Sequence, residues 1–407
     1  MTMPRPENRT GVWIIGARGG VATTVICGAL ALRKALTPPL GMITESELFH
    51  GIELPDAREF VFGGHDIRGT SLRESASQIC HETGTIGSDL LEAIGTDLDE
   101  IEPELRPGIL FRCGEAIEGL EGVDRGLIAT DAAAAVSRVS EDLERFRRCH
   151  GLSTVVVVNL SSTEPALPDH PGHVSADGIA GLIEEGPQEA LIASTLYAAA
   201  AARLGHPYLN FTPSMGALLP GVVELFEQKG APFMGSDGKT GETLVKSALA
   251  PMFKYRNLRI LSWQGYNLLG DRDGEVLSHE ENKRTKVRSK DHLLHDYLGY
   301  PLHTQVEIDY VPSLNDFKTA WDFIHFEGFL GVKMSLQFTW QGCDAILAAP
   351  LILDMARLLA LARMRGERGA LTHLAVFFKS PHGVEEHDLH RQFHSLLEYV
   401  GKLRREA

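Results

Sequence analysis

The chain has 407 residues, 43% of them hydrophobic, and a formal net charge of −15. That is long enough for two domains and too acidic for general nucleic-acid binding, which relies on a basic surface. Its cysteines, Cys27, Cys80, Cys113, Cys149 and Cys343, are scattered and form no CxxC, which argues against a disulfide framework or a zinc site and sets the expectation of buried, reduced thiols.

The opening MTMPRPENRT is polar and has no apolar signal core, so a cytoplasmic protein is expected. Residues 11–32 read as strand, glycine turn and helix: VWII, then Gly16-Ala-Arg-Gly19-Gly20, then VATTVICGALAL. Glycines let a backbone approach a pyrophosphate, and the helix N-terminus aims its N–H groups at it. Gly16, Arg18, Gly19, Gly20 and Val21 are therefore candidate dinucleotide contacts. The spacing is G-x-x-G-G and not the full G-x-G-x-x-G, and a plain strand-to-helix turn carries the same residues. LGMITES (40–46) is the expected second strand, with Glu45 either bonding a ribose hydroxyl or solvated in a loop. His65 reads as a structural histidine.

TVVVVNLSSTEP (154–165) reads as a buried parallel strand, and ligands in open α/β sheets bind at such carboxyl ends. This places Asn159, Ser161, Ser162, Thr163 and Glu164 at a cofactor or substrate site. A further strand is expected at YLNFTPS (208–214), after an Ala-rich helix. Next comes a run of lysines, Lys239, Lys246, Lys283, Lys286 and Lys290, set among Asp237, Asp271 and Asp273. Ammonium groups packed together repel, so such a cluster implies an anionic ligand or developing negative charge; a solvated charged face is the plainer alternative. HTQVEIDYVP and KMSLQFTW alternate like antiparallel strands with one open face. Residues 345–364 suit an amphipathic helix on a core better than a membrane span, LAVFF (374–378) is an expected strand, and a helix closes the chain.

The fold class expected is α/β: a Rossmann-like doubly wound parallel sheet with an inserted α+β catalytic and oligomerisation domain. The expected boundaries are 1–205 for dinucleotide binding, 206–320 for the insertion, and 321–407 for the return.

The ordered blocks IIGARGGVATT, FGGHDIR, NLSSTEP, NFTPS, GSDGKTGETLVKS, YNLLGDRDG, KVRSK, NDFKTAWD and FFKSP resemble the myo-inositol-1-phosphate synthase (inositol-3-phosphate synthase) family in its short, archaeal-type form. The resemblance implies NAD-dependent cyclisation of glucose 6-phosphate, by oxidation at C5, enolisation, intramolecular aldol closure and re-reduction. It implies Lys246, Lys286, Lys290, Lys318 and Lys379 as active-site lysines, with Lys379 and Lys290 at the aldehyde and enolate oxygens. Asp237, Asp273, Asp316 and Asp344 take the places of carboxylates that position those lysines, with Asp237 and Asp344 on the nicotinamide side. It implies a homotetramer, and it leaves room for a divalent metal ion on Asp237 and Asp273. Fructose 6-phosphate is the alternative substrate, raised by Met215 and Gly265; a non-catalytic NAD-binding sensor is a further alternative.

Overall fold

A computed structural model describes residues 9–124, 128–129, 131–270 and 297–406. Lys283, Lys286, Lys290, Asp271 and Asp273 lie outside the described residues. The first sheet is built from β1 (Thr10–Ile15), β2 (Val61–Asp66), β3 (Leu105–Pro107), β4 (Thr154–Asn159), β5 (Tyr208–Asn210), β6 (Pro232–Gly235) and, at the far edge, β11 (Gly369–Ala370). The second contains β7 (Arg259–Leu269), β8 (His303–Tyr310), β9 (Phe317–Glu327) and β10 (Lys333–Cys343).

The first sheet runs β11-β6-β5-β4-β1-β2-β3, and every neighbouring pair is parallel. The strand order reverses between β1 and β4, where Ile15 aligns with His65 on one side and Asn159 on the other. That reversal opens a crevice at the carboxyl edge, the usual ligand position in this architecture. VWII and VVVV can sit here because both faces of the sheet are covered, so the strands need no polar alternation. Helices Gly20–Arg33, Leu72–Glu82, Ser88–Ile101 and Asp344–Met364 supply one apolar layer. Helices Ala132–Cys149, Ala176–Glu184, Ala193–Arg203 and Pro220–Gln228 supply the other.

Several elements differ from expectation. Residues 40–46 form no strand: Pro38 and Pro39 precede a turn at Gly41, and a short 3-10 helix, Ile43–Glu45, follows. The second strand is β2, which carries FGGHD. LAVFF lies mostly within a 3-10 helix, Thr372–Phe377, so Lys379 follows a helical turn. Asp344–Met364 is not amphipathic; 78% of an 18-residue apolar window within it is buried in the protein. Asp354 and Arg357 are accommodated inside because Asp354 accepts from the Ile43 N–H at 2.7 Å and Arg357 pairs with Glu45 at 2.6 Å. Among the cysteines, Cys149 is exposed and Cys80 half-buried, while all five are free.

The second sheet runs β10-β9-β7-β8. β9 is antiparallel to both β7 and β10, but β8 lies parallel to β7, against the expected antiparallel pairing. Helix Gly241–Tyr255 covers one face through Ala250 and Phe253, which meet Trp263 and Ile324. Strands β5 and β6 belong to the first sheet, and β9 and β10 belong to the second.

Candidate active site

The carboxyl ends of β1, β2, β4 and β6 open into a cavity of about 520 Å³, closed on its far side by the loop between β8 and β9. Gly16 begins its floor with φ at +83°, and a Cβ there would lie 3.0 Å from the Leu160 carbonyl oxygen. Only glycine takes that conformation without strain. The Gly16 and Ala17 N–H groups donate to the His65 carbonyl, and the Arg18 N–H donates to Asp66 Oδ2 at 2.7 Å. Helix Gly20–Arg33 then starts at the cavity wall with no side-chain cap. Its first N–H groups suit an anion.

Gly16, Arg18, Gly19, Gly20, Val21, Ser161, Ser162, Thr163, Asp237 and Asp344 all line the cavity. Asn159 is buried behind it, accepting from the Ser161 hydroxyl at 2.8 Å and so fixing the loop after β4. The Arg18 guanidinium is tied to Glu102 at 2.5 Å, which leaves it a structural duty in the turn. Glu45 is absent from the cavity lining; it pairs with Arg357 and Arg58. Asp66, at the end of the true second strand, occupies the acidic position instead. The sequence signal was available in the glycine-aspartate ending of FVFGGHD, but it required choosing the right second strand.

The lysines divide. Lys379 lines the cavity and donates to Asp237 Oδ1 at 2.8 Å. Asp237 is held in a left-handed conformation, φ +59°, by its N–H bond to the Thr212 carbonyl at 3.0 Å. Beside it Gly238 packs so closely on Phe211 that a Cβ would come 2.0 Å from the ring. Lys318 is not itself among the lining residues, but it donates at 3.2 Å to Oδ2 of Asp344, which is. Asp316 also lines the cavity, facing the glycine turn: a Cβ on Gly20 would sit 3.5 Å from its Oδ1. Burial, then the nearby Asp344, raises the Asp316 pKa above the usual carboxylate range.

Lys246 does not join this set. It is buried in the second unit between Glu242 and Asp322 Oδ1, the latter at 3.4 Å, and neither it nor these partners line the cavity. Burial works against its charge, but the two carboxylates outweigh burial and its pKa is raised. Met215 and Gly265 likewise lie outside the cavity lining. His65 lines the cavity but is engaged with Asp142 at 3.0 Å and packs edge-on against Trp13, as a structural histidine would. Burial lowers its pKa despite Asp142.

A family model described as myo-inositol-1-phosphate synthase, of the NAD_binding_5 type, matches residues 10–400. The chain belongs to the myo-inositol-1-phosphate synthase family. It is 33% identical to inositol-3-phosphate synthase 1 of Bacteroides thetaiotaomicron over 410 aligned positions, covering 95% of this chain and 93% of that one. It is 26% identical to inositol-3-phosphate synthase of Saccharomyces cerevisiae, covering 87% of this chain and 74% of the longer relative. In fold it matches inositol-3-phosphate synthase of Caenorhabditis elegans with a TM-score of 0.84 and 24% identity, over 98% of this chain and 86% of that one. A synthase-related protein of Thermotoga maritima gives 0.78 and 23%, over 97% and 99%.

Family membership makes this an enzyme of the inositol-phosphate synthase class with an NAD-binding parallel-sheet domain. The residues present fit that cofactor. The uncapped helix start offers N–H donors, the glycine turn lets a backbone approach, and Asp66 and the Ser161–Thr163 loop line the same cavity. The metal expectation finds less support. Asp237 is engaged by Lys379, and among the described residues there is no group of three or more His, Cys, Asp or Glu side chains arranged to hold an ion.

Proposed function

We propose that this enzyme converts glucose 6-phosphate to a myo-inositol phosphate. The observation that carries the reading is the Lys379–Asp237 pair, set 2.8 Å apart in the same cavity as the Gly16–Gly20 turn. An ammonium in a cleft beside a dinucleotide turn stabilises an oxyanion far better than it would in water. Bound NAD supplies hydride acceptance from C5 and return of the hydride after closure.

The chain's own residues do the rest. Lys379 holds the oxygen on which negative charge develops during aldol closure, and Asp237 keeps its Nζ aimed at that position. Lys318, paired with the lining residue Asp344, offers a second donor for an oxyanion or the phosphate. Lys286, Lys290 and Asp273, in the segment outside the described residues, complete the set by their match to family positions. Asp316 and Asp344 face the glycine turn and Lys318 respectively, and they orient the groups between cofactor and sugar.

Met215 and Gly265, which raise the fructose 6-phosphate alternative, lie outside the cavity lining and so do not shape it directly. Incubation with NAD and either sugar phosphate, with the product read by NMR, tests the proposal. A cyclitol phosphate from glucose 6-phosphate, with no accumulation of NADH, is expected. A product from fructose 6-phosphate alone, or net NADH release, refutes it.

Self-association is proposed on a separate observation. The face of the second sheet turned away from helix Gly241–Tyr255 exposes Tyr266 (38%) tilted against Trp321 (39%), ring centroids 5.6 Å apart, with Phe323 and His325 continuing the row. An aromatic stripe of this kind on an open sheet suits a self-complementary interface between copies of the chain, consistent with a homotetramer.

A further inference from the structure

Lys239 is a charged group that the proposed chemistry leaves unassigned. It lies two residues beyond Asp237, is 2% exposed, and donates from Nζ to Gln392 Oε1 at 2.8 Å. Among the described residues no carboxylate pairs with it. A buried ammonium with a neutral partner alone is costly to hold. Burial, followed by the repulsion of the Lys379 ammonium, brings its pKa down to about 8.

Its surroundings are built, not incidental. Residues 236–239 run antiparallel to 377–380: Ser236 N–H donates to the Ser380 carbonyl at 2.9 Å, Lys379 N–H to the Asp237 carbonyl at 2.8 Å, and Lys239 N–H to the Phe377 carbonyl at 2.7 Å. Gln392 comes from the C-terminal helix, Leu389–Glu406, and is also 2% exposed. Its Nε2 donates to the Glu386 carbonyl at 2.6 Å, which fixes the amide and turns its oxygen to Lys239. Among the described residues the charged group beside Lys239 is Lys379, across the ladder, whose own partner is Asp237, while the helix contributes a neutral amide.

We propose that Lys239 is a positioning residue for the Asp237–Lys379 pair: anchored by Gln392 of the C-terminal helix, its ammonium repels that of Lys379 toward Asp237 and the cavity. The proposal rests on the sugar-phosphate reading above. Lys239 itself touches no reacting atom. It acts by keeping the neighbouring ammonium forward, where an oxyanion would form.

The test uses the NAD-loaded enzyme with glucose 6-phosphate, comparing wild type with Lys239→Met and Gln392→Glu. In Lys239→Met, kcat should fall about tenfold or more, with KM within about threefold. NADH affinity, read by fluorescence, should stay unchanged. The wild-type kcat profile should lose activity as Lys239 discharges near pH 8. That limb should vanish in Lys239→Met and move to higher pH in Gln392→Glu, where a carboxylate faces the ammonium. A merely structural lysine would lower the yield of folded enzyme and leave the profile of the remaining enzyme in place. An unchanged kcat in Lys239→Met, or one profile shared by all three proteins, overturns the proposal. If Lys239→Met does not fold, the profile of Gln392→Glu decides alone. Wild-type enzyme that turns over no sugar phosphate overturns the cyclase reading; calorimetric binding of glucose 6-phosphate across the same pH range then reads Lys239, and an identical pH dependence in Gln392→Glu overturns this inference separately.

Discussion

Replacing Asp322 with Asn should stabilise the protein at neutral pH. Asp322 is fully buried, and its Oδ1 takes both the Trp263 Nε1–H at 2.7 Å and Lys246 Nζ at 3.4 Å, while Oδ2 has no hydrogen-bond partner. Glu242 stands alongside, so two carboxylates crowd the Lys246 ammonium in a dry site. Burial therefore pushes the Asp322 carboxyl up from 3.8 to about 6, even against the pull of Lys246. Because the folded value lies above the unfolded one, the native state binds the extra proton between these pH values, and stability falls as pH rises through them. A shift of this size corresponds to roughly 3 kcal/mol between pH 4 and pH 7. Asn does not ionise; its carbonyl can keep both donors, and its amide nitrogen stands where the unpartnered oxygen was. Thermal unfolding of both proteins across this range is the assay. The variant should match wild type near pH 4 and gain about 1–3 kcal/mol at pH 7. Turnover should stay within about threefold of wild type, since the cluster lies outside the cavity. A variant less stable at neutral pH, or a difference that does not vary with pH, refutes the reasoning.

Lys379→Met should reduce turnover by about 100-fold or more, through loss of a charge that acts on the transition state, while NADH fluorescence titration shows the cofactor still bound. Gly16→Val places a β-branched residue at φ +83°, with its Cβ 3.0 Å from the Leu160 carbonyl; NADH binding should be lost or weakened at least about tenfold, and unaltered affinity would contradict the assigned turn. Trp321→Glu puts a charge into the exposed aromatic row, and sedimentation velocity should show smaller species than wild type at the same concentration, whereas an unchanged distribution would count against that face as the contact.

The parallel sheet was legible because two of its strands are unusually pure. VWII and VVVV are short, β-branched-rich runs bounded by turn residues, as strands buried on both faces are, and the glycines after the first mark the turn that shapes the cavity floor. The second strand was misplaced because the apolar pattern of residues 40–46 is satisfied another way: Ile43 and Thr44 give their N–H groups to Asp354, a buried carboxylate more than three hundred residues further along. No local reading can see such a partner. LAVFF failed for a related reason. Its residues are apolar enough for a strand, yet the backbone beside them closes a 3-10 helix and then pairs residues 377–380 with residues 236–239.

The lysines show where sequence position stops carrying information about chemistry. Lys246 and Lys239 stand seven residues apart, both are buried, and each looked like a member of one cationic cluster. In the fold they meet opposite surroundings: Lys246 has two carboxylates and Lys239 has a neutral amide. The first pairing cancels the charge, so Lys246 is spent on joining helix Gly241–Tyr255 to the second sheet. The second leaves the charge standing beside Lys379. A buried cation with compensating carboxylates holds a structure together, whereas one without them acts on whatever charge lies next to it, and here that neighbour is the ammonium in the cavity.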